Sequence, residues 1–141
     1  MTNIDQETKE KLIEGAIEAR KKSYSPYSRY PVGAAVIAGS GKMYTGCNIE
    51  NSSFGLTNCA ERTAIFKAVS EGEKRILAIA IAAKASAPCG ACRQVLSEFA
   101  AAEIPVVLVN LDDKKGTKEI QELTLGQLLP FSFNQEDAGL C

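Results

Sequence analysis

The chain has 141 residues, a formal net charge of −1 and no histidine. That length holds one domain, residues 1–141, around one core, and an apolar fraction of 45% excludes a disordered chain. The charge excludes a broad basic face for nucleic acid or an anionic membrane, and no apolar run reaches the ~20 residues that a membrane helix needs.

The first predicted element is a helix capped by Asp5 or Thr8, with Leu12, Ile13, Ala16, Ile17 and Arg20 at helical spacing. The pattern is that of an amphipathic helix lying on a sheet. Ser23 to Pro31 follows, with two prolines and three tyrosines, Tyr24, Tyr27 and Tyr30. That composition forbids regular helix and predicts an ordered loop, its aromatics either packing on the first helix or forming a surface for a ligand.

Val32 to Ala38 and Met43 to Ile49 predict two strands joined by the turn Gly39 to Lys42, a hairpin. The second strand runs out into Asn48-Ile49-Glu50, whose alternation sets Asn48 and Glu50 on one face. An amide beside a carboxylate could grip a hydroxylated ligand. Taken alone, the pair reads as a polar strand end.

Asn58 is the predicted N-cap of a second helix that carries Ala64, Ile65, Ala68 and Val69 inward and ends at Glu71-Gly72. Ile76 to Ala82 is an almost unbroken apolar run, as in a strand covered on both faces. After the short loop Lys84 to Ala87, Pro88 sets up a third helix with Val95, Leu96, Phe99 and Ala100 inward. Pro105 opens the strand Val106 to Val109, and Asp112 to Lys118 reads as a charged turn. Thr124 and Gln127 have the form of a capping box for a short helix ending near Leu129-Pro130. The tail is polar apart from Phe131, Phe133 and Leu140, and its phenylalanines predict that it docks. The order, helix, hairpin, helix, strand, helix, strand and then a further strand and helix, predicts an α/β fold, a three-layer sandwich with a mixed, mostly five-stranded sheet and helices on both faces.

Chemistry concentrates in Cys59-Ala60-Glu61-Arg62 and Pro88-Cys89-Gly90-Ala91-Cys92-Arg93. Cys59, Cys89 and Cys92 can hold one Zn2+ as thiolates. Cys47 and Cys141 stand outside any ligand spacing, so the fourth ligand is a water or a cysteine folded in from afar. Glu61, two residues after the first thiol, can reach a metal-bound water as general base without ligating the metal. Three thiolates on zinc leave a net negative charge that weakens its hold on water. Arg62, three residues after Cys59, and Arg93, directly after Cys92, could offset that charge, and Arg62 is the favoured of the two. Five cysteines is an odd number, and the polar segment Met1 to Glu10 lacks the pattern of a secretory leader; thiols kept reduced in the cytoplasm are the expectation.

These segments, with Ser25-Pro26-Tyr27-Ser28, Val32 to Ala35, Gly46 to Asn51, Lys67 to Gly72 and Leu128-Leu129-Pro130, closely resemble the small, homotetrameric, three-cysteine cytidine deaminases, and the likeness runs over nearly the whole chain. The resemblance implies hydrolysis of cytidine and deoxycytidine to uracil nucleosides and ammonia, in pyrimidine salvage, by zinc-bound hydroxide attacking C4. It implies one zinc per subunit on Cys59, Cys89 and Cys92, with Glu61 as proton shuttle and Arg62 bonded to ligand thiolates. It further implies that Asn48 and Glu50 hold the ribose 3′-hydroxyl, that the backbone around Ala60 meets the base, that Tyr30 stacks on the cytosine, and that Phe133 closes a neighbouring subunit's site.

Three features depart from the family pattern. Tyr30 replaces a phenylalanine and its hydroxyl needs a partner, Phe54 stands where many members carry a tyrosine, and the loop before Pro88 is a few residues short. Tyr30 and Phe54 leave open a second reading, deamination of another cytosine-bearing small molecule such as a blasticidin-like nucleoside antibiotic, against which Asn48 and Glu50 argue. A structural zinc or thiol-redox module would instead show a fourth protein ligand or a Cys89–Cys92 disulfide.

Overall fold

The computed structural model describes residues 4–136 and 139. Helix α1, Gln6–Arg20, starts where expected: the Asp5 carboxylate accepts the Thr8 N–H at 2.7 Å and satisfies one of the free donors of the first turn. Strands β1 (Gly33–Ala38) and β2 (Met43–Cys47) form the hairpin. Helix α2 is Ala60–Ser70, β3 is Ile76–Ala83, α3 is Gly90–Phe99, β4 is Pro105–Asp112, β5 is Thr117–Thr124, and α4 is the single turn Leu125–Leu128.

The sheet runs in the order β2-β1-β3-β4-β5. Every pair is antiparallel except β3 with β4, which are parallel and joined by α3. A parallel pair needs such a crossover, since a tight turn cannot bring the chain back to the same end. Side chains alternate between the two faces. Ala34, Val36, Ile79, Ile81, Val106 and Leu108 join a core with α2, α3 and α4. Ala35, Ala78, Ala80, Ala82, Val107 and Val109 meet Leu12, Ile13 and Ala16 of α1. The predicted three layers and five strands are present, with one helix on one face and three on the other.

Small residues set the spacing of the layers. A Cβ on Gly33 would fall 2.0 Å from the Ala16 carbonyl, and one on Gly46 would fall 2.6 Å from the Ala64 nitrogen and 2.9 Å from the Ala60 oxygen. Backbone of α1 and α2 therefore rests directly on the hairpin. Through Gly46, that contact fixes the height of the first turn of α2 above the sheet.

Several boundaries differ from the sequence expectation. Val32 precedes β1, and β2 stops at Cys47. Beyond it the chain leaves the hairpin for other partners: Ile49 bridges Tyr24 on one side and Asn58 on the other. Asn58 is not the N-cap of α2. Its backbone is taken by Ile49 and its amide donates to Thr63 Oγ1 at 3.0 Å, so Cys59 occupies the cap position. The charged stretch after Asp112 is a hairpin turn into β5, a strand exposed along almost its whole length. With neither face buried, no apolar alternation marks it. The capping box of Thr124 and Gln127 is formed as predicted. Leu140 and Cys141 lie outside the described residues.

Gly33→Ala and Gly46→Ala are expected to lower stability by about 1–3 kcal/mol each through overpacking against helix backbone, whereas Gly55→Ala, which meets nothing within 4 Å, stays near wild type. Urea unfolding of the three variants measures this.

Candidate active site

Two helix starts meet at the end of β3. Cys59 is the N-cap residue of α2 and Cys89 that of α3, both extended, and neither side chain caps a backbone N–H of the helix it begins. Cys92 follows on the first turn of α3, buried. The three sulfurs lie within 4.8 Å of one another, with Cys59 Sγ 3.9 Å from Cys89 Sγ and Cys89 Sγ 3.4 Å from Cys92 Sγ. Among the described residues this cluster has no fourth member. Cys47 stands apart, its thiol donating to the Lys22 carbonyl.

The electrostatics suit an anionic sulfur group. A hydrogen bond from Cys92 brings the Cys59 thiol down to about 5 against the cost of burial, and Arg62 adds to the effect by donating from Nη2 to Cys59 Sγ at 3.2 Å. Cys92, donating to Cys59 and buried beside Glu61, is pushed up. The Arg62 Nε is buried without a hydrogen-bond partner among the described residues. Three converging thiols, at least one of them ready to ionise, with a guanidinium behind them, form a donor set that fits Zn2+. Arg93 behaves differently from Arg62. It donates to the carbonyls of Pro88 and Leu128, both at 2.8 Å, and so fastens the α3 start to the last residue of α4.

Glu61, on the first turn of α2, is only 5% exposed. Burial raises its pKa to about 7, and the negative charge of Cys59 adds to the rise. A carboxyl near neutrality can both accept and release a proton under ordinary conditions.

A cavity of about 400 Å³ opens beside the thiols, lined by Cys59, Ala60, Glu61, Tyr30, Asn48 and Glu50 among others. Of the predicted site residues, Arg62, Cys92 and Phe133 are not in this lining. Arg62 and Cys92 lie behind it. Phe133 sits on the tail, 61% exposed, where its carbonyl accepts from Gln94. A larger hollow of about 790 Å³ at the β4–β5 turn is lined mostly by lysine and acidic side chains, and no thiol reaches it.

The cavity walls are held by buried polar side chains. Asn48 accepts from the Val32 N–H at 3.0 Å and from the Ser23 hydroxyl, and donates to the Tyr30 carbonyl at 2.8 Å. Glu50 accepts from the backbone N–H groups of Tyr27 (2.9 Å) and Ser28 (3.1 Å) and from the Ser28 hydroxyl. The Ser28 hydroxyl first, and then these N–H groups, hold the Glu50 carboxyl below its ordinary 4.5. Its contribution to the loop is thus complete above that value and is lost as pH falls below it. Asn48 and Glu50 do share a face, as the alternation predicted, although both lie in a loop and not in a strand.

Sequence reasoning missed Ser86 and Asn110. Ser86 is 2% exposed and donates to Asn110 Oδ1 from its N–H (3.0 Å) and its hydroxyl (2.8 Å). The available signal was an asparagine closing the apolar run Val106 to Val109, since asparagine is depleted in strands. Phe54 stands on a single turn of 3₁₀ helix, 75% exposed, its ring edge-on to Tyr27 at 5.9 Å.

Thiols gathered at two helix starts beside a buried acid, on a mixed sheet of this order, are the arrangement of the zinc-binding deaminases. Residues 6–108 match the family described as cytidine and deoxycytidylate deaminase zinc-binding region, and the chain belongs to that family. It is 52% identical to the cytidine deaminase of Sporosarcina psychrophila over 131 residues, 91% of this chain and 93% of that protein. Its identity to the cytidine deaminase of Halalkalibacterium halodurans is 51% over 129 residues, 89% of this chain and 94% of that one. Among solved structures, the cytidine deaminase of Burkholderia pseudomallei superposes with a TM-score of 0.80 at 42% identity, covering 92% of this chain and all of the other.

The raised pKa of Glu61 makes a stability prediction for the metal-free protein. Because the folded state holds this proton to about 7 and the unfolded state only to about 4.5, stability falls as pH rises between those values. Glu61→Gln removes that cost. It is expected to match wild type at about pH 4 and to exceed it by about 3 kcal/mol at about pH 8, measured by urea unfolding at both.

Proposed function

We propose that this chain is a cytidine deaminase, converting cytidine or deoxycytidine and water to the uracil nucleoside and ammonia, with Glu61 moving the protons. The observation that carries this reading is Glu61 itself, buried, near neutrality and facing the same cavity as the thiols. Cys59, Cys89 and Cys92 would hold one zinc ion per subunit, whose Lewis acidity makes water nucleophilic near neutral pH.

Glu61 takes a proton from the water oxygen as that oxygen attacks C4, and delivers it to the ring nitrogen N3. A second proton passes through the same carboxylate to the amino group. The C4–N bond then breaks and ammonia leaves, so C4 exchanges its nitrogen for the oxygen of water without any redox change. A group near pKa 7 can serve both transfers. Arg62 stabilises the negative charge of the thiolates from behind.

The remaining assignments follow the family resemblance, and the cavity supports them. Asn48 and Glu50 present an amide and a carboxylate to the ribose 3′-hydroxyl, the backbone at Ala60 meets the base, and the Tyr30 ring stacks on it. The tetramer is supported by the exposed apolar surface: Phe54, Leu56, Phe66, Phe131 and Phe133 are each 46% exposed or more. In that assembly Phe133 closes the site of a neighbour. A net charge of −1 supports a free nucleoside as substrate in place of a polynucleotide. No described helix is long and apolar enough to cross a membrane, and reduced thiols support a cytoplasmic place in pyrimidine salvage.

The reading as a deaminase for a nucleoside antibiotic rested on Tyr30 and Phe54. The Tyr30 hydroxyl is engaged by Ala85, and Asn48 and Glu50 keep their places, so no observation favours it.

Ammonia release from cytidine by the zinc-loaded protein tests the function directly. Glu61→Ala is expected to retain zinc and the fold while losing a factor of roughly 10³ or more in kcat, consistent with loss of general acid–base catalysis; full activity in that variant would overturn the assignment. Light scattering is expected to give the mass of four chains, and a monomer at working concentration would remove Phe133 from the site.

A further inference from the structure

The loop between β3 and Cys89 is tied down by groups that no regular element supplies. The Tyr30 hydroxyl accepts the Ala85 N–H at 2.7 Å and donates to the Ala85 carbonyl at 2.8 Å, so one phenol holds both polar groups of one residue. A hydroxyl can do this because it is donor and acceptor at once. Next along the chain, Ser86 is bound twice by Asn110 Oδ1, at the far end of β4. Pro88 is then held through its carbonyl by Arg93 Nε at 2.8 Å. Three successive fastenings thus lead from the cavity wall to the thiol of Cys89.

They act on different things. Tyr30 and Ala85 both line the cavity, and Ala85 is exposed. Ser86 is buried and stands between Ala85 and the metal-binding thiol. Freeing Ala85 therefore loosens the wall of the cavity while Asn110 and Arg93 still hold the approach to Cys89. The phenol itself is oriented from the other side. The Tyr30 carbonyl accepts from Asn48, and the Tyr30 N–H donates to Ser28 Oγ at 3.1 Å, so the latch is continuous with the network that shapes the opposite wall.

We propose that Tyr30 is a positioning residue whose hydroxyl latches Ala85 and so fixes the wall of the nucleoside cavity. The segment between β3 and α3 belongs to no regular element, and the Tyr30 hydroxyl supplies bonds to it from across the cavity. The latch governs how well the cavity is formed before substrate arrives, so its loss falls on binding, with the chemical step and the metal left intact. This inference rests on the reading of the cavity as the nucleoside site.

Tyr30→Phe keeps the ring and deletes the latch. Amide hydrogen exchange at Ala85, read by NMR in the zinc-loaded protein, is expected to quicken roughly tenfold, the scale of one lost hydrogen bond. The KM for cytidine is expected to rise about three- to tenfold, with kcat within about twofold and zinc content unchanged. Unchanged exchange at Ala85 would overturn the latch, and so would a fall in kcat with KM unmoved. Tyr30→Leu, which removes the ring as well, separates the two levels of the argument. If the cavity is the nucleoside site, Leu raises KM beyond Phe. If Ala85 exchanges faster in both variants while KM stays at the wild-type value, the latch exists but the cavity reading fails, and with it the proposed effect on binding.

Discussion

Three sulfurs held within 4.8 Å are the constraint on which the rest of this structure depends. Thiols that ionise at such distances repel one another, and only compensating positive charge makes the cluster tolerable. The chain supplies it in two forms. Cys59 and Cys89 sit at two helix N-termini, where the helix dipole is positive, and the Arg62 guanidinium reaches Cys59 at 3.2 Å. A zinc ion would supply the remainder. Placing two thiols at cap positions also leaves the first helical turns free to carry Cys92 and Glu61 inward.

That geometry exists because α2 and α3 both rest on the same face of the sheet. The contact of α2 with the hairpin is made at Gly46, without an intervening side chain, and α3 is the crossover between the parallel strands β3 and β4. The three thiols are brought together by elements that the core would hold in place anyway. Burial does the rest of the electrostatic work, since the same first turn that positions Glu61 removes it from water and lifts its pKa toward 7. One local structure therefore sets both the place and the acidity of this carboxyl.

Opposite the thiols the wall is a loop, and it owes its order to polar side chains. Asn48 and Glu50 spend their hydrogen-bonding capacity on residues 23–32, and Asn110 spends its own on Ser86. Such loops carry function because a rigid scaffold holds them. Asn48 and Glu50 do this holding while facing the cavity themselves, and Asn110 does it from outside the lining.

The local signals in the sequence were sufficient for much of this. Periodicity located α1, α2, α3 and the buried strands, Thr124 and Gln127 announced the cap of α4, and the spacing of Cys59, Glu61, Cys89 and Cys92 specified the metal chemistry, because ligand type and helix position are properties of a short segment. The exposed strand β5 left no apolar alternation to read. The true cap of α2 escaped because Asn58 finds its partners in Ile49 and Thr63, which sequence does not place beside it. The sequence by itself thus determined the three-thiol cluster, the acid beside it and the class of fold. Only the tertiary structure decided which polar residues hold the cavity: that Tyr30 meets Ala85, that Asn110 meets Ser86 and that Glu50 meets Ser28. Those bonds join residues that lie far apart along the chain, and a hydrogen bond between distant residues is set by how the elements pack, which no local pattern records.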